Sequence, residues 1–186
     1  MLKAQDNRSD FKLRLAGVAN GKHSFSIICD KSFFDSNELS DILDGSVHLQ
    51  IQMDKSDKML KLDFHYDGTL TAECARCLDP VAYPVLFDTS LLVNLVQKVE
   101  EDFENDDEIW VIQEKEFELD VYQYVYEAIV LSLPTQIIHP DDVNGNSTCN
   151  PEFLKTLAKY SVDETTLKDK ETDSRWDALK NMKFDE

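Results

Sequence analysis

The residues in this chain whose types and spacing suit chemistry are Cys74-Ala75-Arg76-Cys77-Leu78. Two cysteines separated by two residues can grip one metal ion from a tight turn. They can also carry dithiol chemistry or sit as reduced core thiols. Zinc needs four N or S ligands in a tetrahedron, so a CxxC is half a site. His139 and Cys149 offer the other half from one downstream loop, ten residues apart, a wider spacing than the usual second knuckle. The candidate metal set is therefore Cys74, Cys77, His139 and Cys149, with zinc as the candidate cofactor. Cys74 also continues the inward alternation of Leu70 and Ala72, so a small buried core thiol is a second reading. A thioredoxin-like enzyme would place its CxxC at a helix N-terminus in a βαβ setting. Here a strand pattern precedes the motif and no crossover helix follows, which counts against redox catalysis.

Other reactive side chains carry weaker signals. Cys29 alternates with Phe25 and Ile27 and reads as a core thiol. His23, His48 and His65 fall on the polar faces of strand patterns and read as solvated. None of the five glycines belongs to a phosphate-binding loop, and the acidic run Glu100–Glu108 lacks the spacing of a calcium loop. Arg76, inside the CxxC turn, suits an ion pair with Glu73 or Asp79, or contact with a phosphate or partner.

The elements that must position these residues are mostly strands. Phe11, Leu13 and Leu15 alternate with basic residues. Phe25, Ile27 and Cys29 do the same with serines, as do Val47 to Met53 and Leu60 to Tyr66 with polar residues. Such period-two patterning marks half-buried strands over a core. Asp67-Gly68 is expected to form a two-residue type I′ turn that pairs Lys58–Tyr66 with Thr69–Cys74. Tyr83 to Leu95 continues as a long strand or strand pair, and Ile109 to Ile112 as a short returning strand. The segment from Lys31 to Leu43 has room for a short helix. A helix over Asp120–Ser132 is expected to start with an Asp120/Gln123 capping box and a Leu119/Tyr124 staple. It would present Leu119, Tyr122, Tyr126, Ile129, Val130 and Leu133 on one face and end at Pro134. Pro151 opens a helix to about Tyr160.

The expected class is α+β: an antiparallel, twisted sheet or partial barrel with a packed helix and a short C-terminal helix. Residues 1–160 are expected to form a single domain, and residues 161–186 a polar linker and helical tail. In that tail Trp176 and Leu179 are candidate partner contacts.

Composition narrows the function classes. The 186 residues carry 37 acidic and 19 basic side chains, a net charge of −18. Such a surface repels phosphate backbones at long range and attracts basic proteins. A basic patch at Lys12, Arg14 and Lys22 is the one place that suits direct RNA contact. Glu100–Glu108 holds seven acidic residues in nine and is expected to be a solvated loop. Met1 to Asp10 has no apolar signal region, and no stretch reaches the ~20 apolar residues of a membrane span. A cytoplasmic protein with reduced thiols is expected.

Three elements together resemble one family. They are Cys74-Ala75-Arg76-Cys77-Leu78; Leu119-Asp120 running on to Leu131-Ser132-Leu133-Pro134; and His139 with Cys149. The combination is similar to the YceD-like family of large ribosomal RNA subunit accumulation proteins. Asp173 to Leu179 resembles the ending of its members from the Bacteroidota, with Ser174 in place of a proline, as do Phe33-Phe34 and Leu62-Asp63-Phe64. The resemblance implies a non-enzymatic ribosome-biogenesis factor that supports accumulation or processing of large-subunit ribosomal RNA. Its partners would be a pre-ribosomal particle or a basic large-subunit ribosomal protein. A zinc- or thiol-dependent enzyme using the CxxC is the alternative.

Overall fold

Where the period-two pattern is strong, the chain forms long strands. The computed structural model describes residues 7–36, 42–98 and 109–161. These fall into two units, Met1–Thr148 and Cys149–Glu186. In the first, a 3-10 turn at Asn7–Phe11 leads into β1 (Lys12–Arg14). There follow β2 (Gly21–Cys29), α1 (Lys31–Asp35), β3 (Ile42–Lys55), β4 (Met59–Glu73), β5 (Pro80–Val96), β6 (Ile109–Gln113), β7 (Glu118–Asp120) and α2 (Tyr122–Ser132). One sheet has the order β2-β3-β4-β5-β6 and a two-stranded sheet joins β1 to β7. Neighbours from β2 to β5 are antiparallel, whereas β6 runs parallel to β5. The class is thus α+β, as expected. The sheet stays open, and the expected returning strand comes back in the parallel sense.

The expected Asp67-Gly68 hairpin does not form. β4 runs unbroken from Met59 to Glu73, with Val47 opposite Gly68 on one side and Val85 on the other. Glycine is needed there for close approach. A Cβ on Gly68 would collide with the Ser46 carbonyl oxygen and lie 2.6 Å from the Val47 Cα. Inward positions keep one phase along the whole strand: Leu60, Leu62, Phe64, Tyr66, Leu70 and Ala72 are all buried. A two-residue turn would have reversed that phase at Thr69.

Aromatic side chains lock the helices to the sheets. Phe11 stacks on Phe33 at 4.8 Å between ring centroids, and Tyr122 meets both edge-on at 5.3 and 5.0 Å. The Tyr122 hydroxyl donates to the Phe33 carbonyl at 3.3 Å. Tyr124 packs on Phe64 and donates to the Ser90 carbonyl. α1 is a single short turn that exists because Asp30 caps it, accepting from the amides of Ser32 and Phe33. α2 begins at Tyr122 because Asp120 is still the last residue of β7. The Asp120 carboxylate accepts from the Tyr122 amide, but Gln123 turns to Glu127, so the expected capping box is replaced by a single Asp120 bond. Its buried residues are Tyr122, Val125 and Ile129, while Val130, expected on the inner face, is 39% exposed.

The second unit is described through α3 (Pro151–Tyr160), which matches the expected helix. Asn150 caps it by accepting from the Glu152 amide at 3.0 Å, and Pro151 sits in the first turn. The expected linker and C-terminal helix, with Trp176 and Leu179, lie outside the described residues, as does the acidic run 100–108. Among the described residues no helix is long and apolar enough to cross a membrane.

Candidate metal centre

Six residues, 74 to 79, connect β4 to β5. They fold back on themselves: the Leu78 amide donates to the Cys74 carbonyl at 2.8 Å, and the Cys74 amide to the Asp79 carbonyl at 3.0 Å. Closing so small a loop takes Leu78 into the left-handed region, at φ 64°. Cys74 is at the end of the inward phase of β4, which places its sulfur beneath the turn. Both Cys74 and Cys77 are buried.

The second half of the set comes from the loop after α2. The Ala75 amide donates to the Ile137 carbonyl at 2.8 Å, which ties the knuckle to that loop two residues before His139. Asp141 and Ser147 form an antiparallel bridge. The turn between them is closed by the Asp142 amide on the Asn146 carbonyl and by Gly145 at φ 81°. The Asp142 carboxylate accepts from the amides of Asn144 and Asn146 at 2.8 Å each. Those donors, Asn146 foremost, hold its pKa below the usual carboxylate value. The bridge lies between positions 139 and 149 in the chain. This accounts for the ten-residue spacing: a bridged turn takes the place of a second short knuckle. Thr148 adds a hydroxyl bond to the Pro140 carbonyl at 2.6 Å.

The outcome is a tight cluster. One ligand atom each from Cys74, Cys77, His139 and Cys149 all lie within 4.8 Å of one another, with the cysteines buried and His139 half-buried. The Cys77 sulfur is 3.4 Å from His139 Nδ1. With Zn–S of about 2.3 Å and Zn–N of about 2.0–2.1 Å, a tetrahedron puts S and N roughly 3.6 Å apart. Three soft sulfurs and an imidazole are also the donor chemistry that zinc favours. The residues therefore fit a metal ion of this type.

The electrostatics agree. Burial by itself pushes the Cys74 thiol up. The amides of Cys77, Arg76 and His139, together with the His139 side chain, outweigh it and bring the pKa down from 9.0 to about 6. Backbone donors aimed at sulfur stabilise the thiolate, which is the form that ligates metal. Cys29 stands apart as expected: it is fully buried in β2, and burial raises its thiol to about 12.

Arg76 extends its guanidinium to the Ser147 hydroxyl at 2.8 Å, joining the knuckle to the bridged turn. Ser147 was not among the expected site residues. Its only sequence signal is its place in the Asn-Gly-Asn-Ser turn, which gives no hint of an arginine partner. The histidines on strands are held locally. His23 Nε2 is 2.8 Å from the Ala19 carbonyl oxygen, and His65 Nδ1 is 2.6 Å from an Asp88 carboxylate oxygen. The basic patch is balanced by acids: Lys12 pairs with Glu118 at 3.0 Å, Arg14 lies opposite Glu118 in the ladder, and Lys22 lies opposite Asp54.

The family model described as large ribosomal RNA subunit accumulation protein YceD matches residues 62–183. No curated protein and no solved structure matched the chain. The family match spans well over half of the chain, including β4, β5, α2 and all four clustered ligands. The chain belongs to the YceD family of large ribosomal RNA subunit accumulation proteins.

Proposed function

We propose that the chain is a non-catalytic accessory factor of ribosome biogenesis, working in the cytoplasm to support accumulation of large-subunit ribosomal RNA. The observation that carries this reading is the family match across the knuckle and α2. The net charge of −18 favours a basic protein as direct partner, in particular a large-subunit ribosomal protein, over naked RNA. Within this reading Cys74, Cys77, His139 and Cys149 hold a zinc ion. When bound, it supplies a cross-link between two loops. Four protein ligands complete a tetrahedron and leave no position for water or substrate, the arrangement of structural zinc sites. The buried thiols support the same view, since a working nucleophile needs access. Arg76 and Ser147 brace the two loops around the ligands.

Sedimentation of the full-length, tagged chain from lysate at physiological salt tests the function. The expected result is co-migration with large-subunit precursor particles or retention by basic ribosomal proteins, with a fall in large-subunit RNA relative to small-subunit RNA when the chain is depleted. Absence from both fractions, with unchanged RNA ratios, would overturn the proposal.

A further inference from the structure

Beside the metal knuckle, within the first unit, is a cavity of about 710 Å³, lined mostly by apolar residues but with a mixed polar and apolar surface. Ile42 and Leu43 from β3, Leu78 from the knuckle, and Val130 and Leu133 from α2 line it. Leu43, Val130 and Leu78 are 38%, 39% and 60% exposed. Single exposed apolar residues are ordinary; several converging on one concave surface mark an interaction site. Leu78 is the most informative. It occupies the left-handed backbone region, where a side chain with a Cβ is disfavoured and glycine is at ease. The backbone geometry of the turn does not require a leucine there, yet one is held with more than half of its surface facing solvent.

The charges around the cavity indicate what it takes. Glu73 is in its lining, and exposed Asp44 and Asp79 directly follow Leu43 and Leu78 in the chain. Of the nearby cations, the Lys31 amine is committed to the Leu43 carbonyl at 2.6 Å and Arg76 to Ser147. A cavity lined mostly by apolar residues, with Glu73 in its wall, on a chain of net charge −18, complements a segment with an apolar face and a basic face.

We propose that this groove is the docking surface for a basic amphipathic segment of a protein partner, with Leu78 as its central anchor. The proposal rests on the reading of the chain as a factor that engages a basic protein, and it names the surface used. Leu78 would enter between the partner's apolar residues, while Glu73 meets its lysines and arginines.

The test uses the full-length chain, zinc content measured, and a fluorescent synthetic helical peptide with leucines on one face and lysines on the other. Binding is read by anisotropy and by methyl chemical shifts. Leu78→Asp and Leu78→Gly are each expected to weaken binding at least about tenfold, roughly the loss of one interface anchor. Leu78→Gly, which relieves the backbone, is expected to unfold at no lower denaturant than the wild type, so its loss of binding is not a folding defect. Leu86→Asp, on β5 with 71% exposure, is expected to bind as the wild type. A peptide with glutamates for lysines is expected to fail.

Equal binding by the Leu78 variants, or shifts centred on Leu86, would overturn the proposal. So would tighter binding after removal of residues 162–186, which would make the chain's own tail the occupant. Self-association abolished by Leu78→Asp would make it a second copy, and an RNA oligonucleotide shifting the same methyls would make it RNA; either overturns it. Co-sedimentation of Leu78→Asp with precursor particles at wild-type levels would sink the groove while leaving the function standing. Absence of the wild type from both those particles and the basic ribosomal proteins, with unchanged RNA ratios, would sink the function, with the peptide result still readable.

Discussion

Cys29 and Cys74 are both fully buried thiols in the same unit, yet their surroundings drive them in opposite directions. Cys29, in β2, is surrounded by core. Burial comes first, and the neighbouring charge of Asp30 adds to it, raising the thiol to about 12. Cys74, one residue past β4, is equally hidden, but amides of the knuckle and of His139 bring it to about 6. Burial alone does not decide what a cysteine does; the donors aimed at its sulfur do. The contrast extends to the regions around them. The first is held by stacked rings and strand pairing. The second is held by a short turn, a bridged loop and four potential ligands.

If that division is right, the two regions fail differently. Phe33 is fully buried and touches Phe11, Phe34, Tyr122 and Tyr126 ring to ring. Phe33→Ala is expected to lose about 3–5 kcal/mol of unfolding free energy in denaturant titrations, the usual cost of emptying an aromatic core site. The zinc affinity of the folded protein is expected to be unchanged. A parallel fall in zinc affinity would show that the knuckle depends on core packing, and would erase the distinction.

Damage to the other region should have the reverse signature. His139→Ala or Cys149→Ser removes one of four ligands and is expected to weaken zinc by about a hundredfold or more, measured by competition with a chromophoric chelator. Ser147→Ala, which takes away the hydroxyl that Arg76 reaches, is expected to cost about tenfold, as supporting shells commonly do. Denaturant midpoints of the metal-free proteins should move little. Equal zinc content in wild type and the ligand variants would remove the metal centre altogether.

The two regions also differ in how far the sequence revealed them. Val47, Leu49, Ile51 and Met53, with Leu60, Leu62, Phe64 and Tyr66, are buried as their alternation implies, because a half-buried strand writes its period directly into residue type. Asp67-Gly68 looks like a hairpin turn as a dipeptide, but the phase of the residues around it rules the turn out. A 66–69 pairing would have set Thr71 opposite Phe64 and Glu73 opposite Leu62, whereas the apolar residues are Leu70 and Ala72. The parallel sense of β6 was not legible, since a short apolar strand looks the same in either direction. The four candidate ligands are legible by residue type, but their proximity depends on the Asp141–Ser147 bridge and the Ala75–Ile137 bond. Those are backbone contacts between segments more than 60 residues apart in one case, and side-chain patterns do not record them. The Arg76–Ser147 bond was missed for the same reason: Glu73 and Asp79 are neighbours in sequence, and Ser147 is a neighbour only in space.

The pH dependence of stability is the most direct test of the two thiols. Cys29 stays neutral in the fold to about pH 12, while in the unfolded chain it ionises near its ordinary 9.0. Above pH 9.0 the unfolded chain therefore releases a proton that the folded chain retains, and rising pH favours unfolding. Its contribution is whole below about pH 9 and is lost progressively between about 9 and 12, at up to ~1.4 kcal/mol per pH unit. Cys74 has the opposite sign of shift, so well above pH 9.0 it is a thiolate in both states and adds no slope there. Stability of the metal-free wild type minus that of metal-free Cys29→Ala, from urea titrations stepped between about pH 8 and 10.5, is expected to be flat and then fall with rising pH. The same subtraction with Cys74→Ala is expected to stay flat over the upper part of that range. A falling difference for Cys74, or a flat one for Cys29, would mean that the core and the knuckle do not hold their sulfurs in different ways.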